Sequence, residues 1–176
     1  MKRKIRRVFY HLAKLFIGLV VFIDGRLYMK LYNSLLKLCG LKMLGTPRFI
    51  AKSVKFDDFN LITVGDRLVV SSKVVFLTHD YSYTTGLIAL DEKPETDIGI
   101  LGPITVGNNV FIGMNSILLP GTTVGDNVII GAGSVVRGKI PGNVVISGNP
   151  AEIVSDIISH INKLKDKDYL RRVDSK

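Results

Sequence analysis

Of the three histidines in this 176-residue chain, His79 alone falls where a repeating pattern breaks off. It follows Phe76-Leu77-Thr78 and precedes Asp80, after which about two dozen residues show none of the surrounding periodicity, and loops that long in a compact domain are usually functional or disordered. An imidazole titrates near neutrality without any environmental shift, so a histidine here could move a proton; it could equally be an ordinary surface residue at a strand end. In the phase of the repeat Asp80 takes an inward position, and alternation then turns His79 outward, toward a cleft. His11 and His160 lie in two stretches that read as helical, at structural or solvent-facing positions. Cys39, the one cysteine, excludes an internal disulfide and a Cys-based zinc cluster within one chain and reads as a buried free thiol. No metal is expected, because a catalytic zinc shell usually takes three protein ligands and a water, and the repeat region offers one histidine.

The scaffold for His79 is written in hexads. From Val106 to Pro141 the first positions are Val106, Ile112, Leu118, Val124, Ile130 and Val136, and the fifth positions are Val110, Ser116, Thr122, Val128, Ser134 and Ile140. Pairs such as Ser116/Leu118 share one face of a strand, and Gly, Asn, Asp or Pro then turn the chain. The same phase recurs upstream, with Val64, Val70 and Phe76 as first positions and Ile50, Phe56, Ile62, Leu68 and Val74 as fifth positions. So short a period means stacked repeats that bury a core only by piling on one another, a parallel β-helix of roughly four coils. A sandwich of strands would space its turns more widely and less evenly.

Charge divides the chain differently. Residues 1–48 hold eleven Lys/Arg against Asp24 alone, residues 49–150 hold seven against nine acids, and residues 151–176 hold six against five. The repeat body is slightly acidic, which argues against nucleic acid as its partner. The N-terminal segment reads as helical, with Ile5, Val8, Phe9, Leu12, Leu15, Phe16, Leu19, Val20 and Ile23 at three- and four-residue intervals behind a basic start, Lys2 to Arg7. Its uncharged run, Leu15 to Ile23, falls well short of the ~20 residues that span a bilayer. No small-residue cleavage site follows, as a secretory signal would require. An interfacial amphipathic anchor and a cap packing its apolar stripe on the β-helix or a sister subunit both remain open. The expected organisation is a basic helical segment at 1–48, a β-helix at 49–154 interrupted by the loop 80–103, and a helical tail at 155–176.

The run Ile104-Thr-Val-Gly-Asn-Asn-Val-Phe-Ile-Gly-Met-Asn-Ser-Ile-Leu-Leu-Pro-Gly, with Ile140-Pro-Gly-Asn-Val and Ser147-Gly-Asn-Pro-Ala, resembles the left-handed β-helix acyltransferases of the hexapeptide-repeat superfamily. It is most similar to the branch of maltose, galactoside and polysaccharide O-acetyltransferases. The resemblance spans about Ile50 to Val154. It implies a mainly β fold, a left-handed coil with an N-terminal helical segment and a short C-terminal helix. It also implies a homotrimer with acetyl-CoA in clefts between subunits. In that branch a Thr-His segment at the mouth of the extended loop carries the catalytic histidine, which the resemblance maps onto Thr78-His79. The donor would lie along Gly113-Met114 and Gly131-Ala132, with Arg137, Gly138 and Lys139 near its nucleotide. Relatives carry a Thr-Lys pair there, so phosphate pairing would shift to Arg137 or Lys139, and Phe111 stands where they commonly carry Trp.

The expected reaction is acetyl transfer to a carbohydrate hydroxyl, with neutral His79 as general base and a backbone carbonyl, Asp57 or Asp58 fixing its tautomer. Asp57, Asp58, Asn60 and Tyr81 are the candidates for holding the acceptor, and the basic start favours a membrane-linked glycan over a free sugar. The protein is expected in the cytoplasm, at the inner face of the membrane. Two other readings stay open: an N-acyltransferase acting on an amino or nucleotide sugar, and a non-catalytic β-helix scaffold.

Overall fold

A computed structural model describes residues 3–165, Lys167 and Leu170, with side chains from Val8 onward; the basic side chains from Lys2 to Arg7 lie outside the described residues. Short strands, all but the last of two or three residues, stack in parallel on three faces of a left-handed helix. The first face holds Lys42–Met43, Ile62–Val64, Ile104–Val106, Thr123–Val124 and Lys139–Ile140. The second holds Phe49–Ile50, Val69–Val70, Phe111–Ile112, Ile129–Ile130 and Val144–Gly148. On the third lie Lys55–Phe56, Val75–Phe76, Ile117–Leu118 and Val135–Val136. These make four full coils and two sides of a fifth.

Why so short a strand suffices is visible in the register. Phe111 pairs with Ile129 and Ile112 with Ile130, so each residue stacks on its equivalent one coil away. The second member of each pair points inward, and Val106 on Val124, Ile112 on Ile130 and Leu118 on Val136 form three buried columns, one per face. Backbone bonds run from coil to coil, as from Gly113 N to Ile130 O (2.8 Å) and from Ile117 N to Ser134 O (2.8 Å). Buried hydroxyls at the corners find carbonyls: Ser134 Oγ donates to Gly131 O (2.6 Å) and Thr122 Oγ1 to Leu119 O (2.7 Å). One corner is an asparagine ladder. Asn109, Asn127 and Asn143 all have positive φ, where Asn is the best tolerated residue after Gly, and Asn109 Nδ2 donates to Asn127 Oδ1 (2.8 Å) while Asn127 Nδ2 donates to Asn143 Oδ1 (2.9 Å).

At both ends the register departs from the hexad phase. Ile50 pairs with Val70 and Phe56 with Phe76, so both stand in first positions and not in fifth ones. The cause is a 3₁₀ turn, Phe59–Leu61, that makes the step from the Lys55–Phe56 strand to the Ile62–Val64 strand two residues longer than the regular step between Ile117 and Thr123. At the other end Ile140 pairs with Val124, again a first position, because the corner at Arg137-Gly138 is two residues shorter than regular and Gly138 turns it at φ +73.

The long insertion is not structureless. Strand His79–Asp80 pairs antiparallel with Ile100–Leu101, and a helix, Ser82–Ala89, lies between them. After the last coil, Ala151–Asp156 folds back antiparallel on Val144–Gly148, and a helix at Ile157–Lys165 follows.

Two N-terminal helices, α1 (Arg3–Val20) and α2 (Gly25–Leu38), pack beside the first coils, and Asp24 between them accepts from Arg26 N (2.7 Å) and Leu27 N (3.0 Å). Cys39 and the α2 side chains Tyr28, Tyr32 and Leu36 are fully buried. Tyr28 Oη donates to Ile50 O (2.8 Å), and the Tyr10 and Tyr32 hydroxyls lie 3.1 Å apart. Burial pushes the Tyr10 phenol up to about 12 and raises those of Tyr28 and Tyr32 as well. The face that α1 turns to the core is Tyr10, Ala13, Ile17 and Val20, with Val21 just past its end. The stripe of Val8, Phe9, Leu12, Leu15, Phe16, Leu19 and Ile23 is exposed, so within one chain it does not cap the β-helix.

Candidate active site

His79 leaves the third face at the end of Val75–Phe76, where the 3₁₀ turn of the first coil comes to meet it. That turn is pinned by Phe59, which is buried and sets its ring 5.0 Å from Tyr10 and 5.6 Å from Phe56. Asp57 and Asp58 at its start are thereby held against the imidazole: His79 Nδ1 lies 3.1 Å from Asp57 Oδ2 and 3.5 Å from Asp58 Oδ2. All three side chains keep a quarter or less of their surface exposed. Tyr81 closes a further side, its ring edge-on to His79 at 5.4 Å. Asn60 sits on the same turn and is exposed.

The phase expected for this segment needs correction. Asp80 does not point inward; it is exposed, and its Oδ1 accepts from Ser82 N (2.8 Å) to start the helix. The inward residue is Thr78, fully buried, whose carbonyl accepts from Gly102 N (2.9 Å). Its Oγ1 has no hydrogen-bond partner among the described residues. His79 therefore does face outward, but because Thr78 points in. Phe59 does not stand out in the sequence as a part of the site, and Thr78 enters it only through the Thr-His segment of the resemblance.

In a neutral imidazole whose Nδ1–H points at a carboxylate, Nε2 is the acceptor nitrogen and its direction is fixed, which is the arrangement of a general base. The assignment of the proton to Nδ1 follows from the two carboxylates beside it.

The other candidates lie elsewhere on the coil. Gly113-Met114 and Gly131-Ala132 follow second-face strands and turn the corner toward the third face, with Met114 and Ala132 exposed. Contact between coils is so close there that a Cβ on Gly113 would fall 2.5 Å from Ala132 N. Arg137, Gly138 and Lys139, all exposed, turn the corner between the third and first faces, as His79 does two coils earlier. One chain thus brings His79, Asp57, Asp58 and Tyr81 together and leaves Gly113-Met114 and Gly131-Ala132 on a different corner.

The family described as bacterial transferase hexapeptide (six repeats) matches residues 103–138. Protein CapG of Staphylococcus aureus is 38% identical over 156 residues, 84% of this chain and 88% of that protein. WbbJ of Escherichia coli (strain K12), named for lipopolysaccharide biosynthesis O-acetyl transfer, is 31% identical over 128 residues, 68% of this chain and 65% of that one. A solved galactoside acetyltransferase in complex with coenzyme A superimposes with a TM-score of 0.61 at 24% identity, covering 93% of this chain and 88% of that one. With its coils, its register and CapG aligned along most of both chains, the protein belongs to the hexapeptide-repeat transferases, in the branch of the sugar O-acetyltransferases.

Proposed function

We propose that this acetyltransferase moves the acetyl group of acetyl-CoA to a sugar hydroxyl of a cell-surface polysaccharide or its lipid-linked precursor, with His79 as the general base. The observation that carries the reading is the contact of His79 Nδ1 with Asp57 and Asp58, which leaves Nε2 for the acceptor. A sugar hydroxyl is a poor nucleophile at neutral pH. As its oxygen attacks the thioester carbonyl, Nε2 takes the hydroxyl proton, and the paired carboxylates stabilise the imidazolium that forms. Collapse of the tetrahedral adduct breaks the carbon–sulfur bond, and the imidazolium returns the proton to the departing thiolate. Asp58 and Tyr81 border the imidazole, Asn60 lies on the same turn as Asp58, and these are the side chains proposed to hold the acceptor.

The pantetheine arm of the donor is assigned to the coil edge at Gly113-Met114 and Gly131-Ala132, where Met114 and Ala132 are exposed. Arg137 and Lys139 supply cations for its phosphates, the guanidinium through two-pronged pairing. WbbJ and the coenzyme A complex support this reading by their names. Because the proposed donor edge and His79 occupy different corners of one chain, a complete site takes one corner from each of two copies, and the homotrimer is proposed for that reason. With a cytosolic donor, the reaction is proposed to run in the cytoplasm.

His79→Ala tests the mechanism. Acetyl transfer to a panel of envelope sugars is expected to fall by ~10²-fold or more, with the oligomer intact. Turnover near that of the wild type would overturn the role of His79.

A further inference from the structure

Helix α1 is apolar on two sides, and the coils use only one. Leu12, Leu15, Phe16 and Leu19 on its outer side are 57–68% exposed, and Phe22 and Ile23 at the corner into α2 reach 78% and 85%. An exposed apolar strip of that length marks a contact surface, not an ordinary helix flank. Beside it the structure places mostly positive charge, with Asp24 as the one carboxylate at the corner, where it accepts from Arg26 N. A groove of about 440 Å³ between α2 and the segment 46–48 is lined by Arg26, Lys30, Lys37 and Arg48, with Asn33 and Ser34 and no carboxylate among its lining residues. Arg26 opens this groove three residues after Ile23, so the apolar corner and the cationic groove are continuous in the chain.

We propose that the α1–α2 hairpin docks on an anionic membrane leaflet, α1 lying flat with its outer stripe among the acyl chains and the α2 groove receiving lipid phosphates. The consequence, that the acceptor is presented at a membrane, rests on the acetyltransferase reading above; the docking itself does not. Two features select a bilayer over a second copy of the chain. A copy meeting this hairpin with its own would set eight Lys/Arg and one acid against the same set, a like-charge contact that costs free energy. An anionic bilayer offers an apolar layer and negative charge together. Among the described residues no helix is long and apolar enough to cross, which leaves α1 the interfacial position.

The test uses the full chain without acceptor or donor. It is expected to sediment with phosphatidylcholine vesicles containing phosphatidylglycerol, to be released by salt, and to bind poorly to phosphatidylcholine alone. Leu12→Gln/Phe16→Gln is expected to weaken binding by about tenfold or more, since both side chains are exposed and lose only lipid contact. Lys30→Gln/Arg48→Gln is expected to weaken binding to the anionic vesicles by roughly 25-fold and to flatten the salt dependence. Both variants are expected to keep the wild-type sedimentation coefficient in solution and its turnover of a soluble sugar. The proposal is overturned if the intact protein ignores anionic vesicles at low salt, or if the Leu12/Phe16 variant binds them as the wild type does. It is also overturned if that variant falls to a smaller assembly, because a second copy then covers the stripe. Absence of acetyl transfer by the wild type would overturn the enzymatic reading and leave the vesicle result standing.

Discussion

The third and fourth coils repeat without deviation: Phe111 stands on Ile129 and Ile117 on Val135, eighteen positions on in each case. The first two do not: Phe49 stands on Val69, twenty positions on, and Val69 on Phe111, forty-two. Every carboxylate that touches His79, and His79 itself, comes from the irregular pair. A regular coil exposes only the outward member of each strand and the corner residues, and it places like on like. Two added residues make the Asp57–Leu61 turn, and the long insertion lets His79 leave the coil and lie against it. Regularity supplies the core, and departures from it supply converging side chains.

If this division is right, damage to the two regions should be separable. Ile130 is fully buried at a first position of the fourth coil. Ile130→Ala is expected to cost about 2–5 kcal/mol of stability, because the stacked coils above and below cannot collapse into the gap. Turnover measured below the unfolding transition should stay near that of the wild type. His79→Ala should do the reverse, with denaturant midpoints little changed and activity lost. Equal loss of activity in the two variants would dissolve the distinction.

Next in size is the pair of carboxylates. Asp57→Asn replaces the nearer acceptor by an amide that can present its NH₂ to Nδ1 and favour the wrong tautomer. Turnover should fall by about 10- to 100-fold, a part of the general-base contribution, with KM for acetyl-CoA unchanged. Asp58→Asn, at the longer distance, should lower it less. A larger loss at Asp58 would make that residue the orienting one and leave Asp57 to the acceptor.

How far this was legible in the sequence follows the same line. Inward columns from Val106 to Val136 could be read directly, since each hexad stacks on its equivalent and nothing else competes for the phase. His79 could be named because a broken repeat isolates the residues at the break, while Asp57 and Asp58, outside the break, stood only as alternatives to a backbone carbonyl for orienting it. The register of Ile50, Phe56 and Ile140 could not be taken from the period, which a two-residue insertion or deletion preserves in parity while exchanging first for fifth positions. Val54 and Phe56 did carry a signal: they alternate as Val74 and Phe76 do, one fifth and one first. The packing face of α1 was hidden for a different reason. A helix apolar on two sides gives a periodicity that names neither, and here the less hydrophobic side, Tyr10 with Ala13 and Ile17, is the one that packs, the Tyr10 hydroxyl meeting Tyr32 of α2 and its ring meeting Phe59 of the first coil.

The smallest effect expected lies in the regular region itself, at the asparagine ladder. Asn127 has φ +57, receives from Asn109 and donates to Asn143. Asn127→Ala removes both side-chain bonds and puts a Cβ with no compensating local hydrogen bond in the left-handed region, a combined cost of about 1–2 kcal/mol. Asn127→Gly loses the same bonds but relieves the backbone, so it should cost less than alanine even though glycine is the more flexible residue when unfolded. Thermal or denaturant unfolding of the two variants checks the order. If alanine proves the milder change, the ladder's value lies in its side-chain bonds and chain entropy and not in its backbone, and the corner would be held by the coils above and below it. Neither variant should alter turnover, since this corner is turned between the first and second faces, away from the one that carries His79.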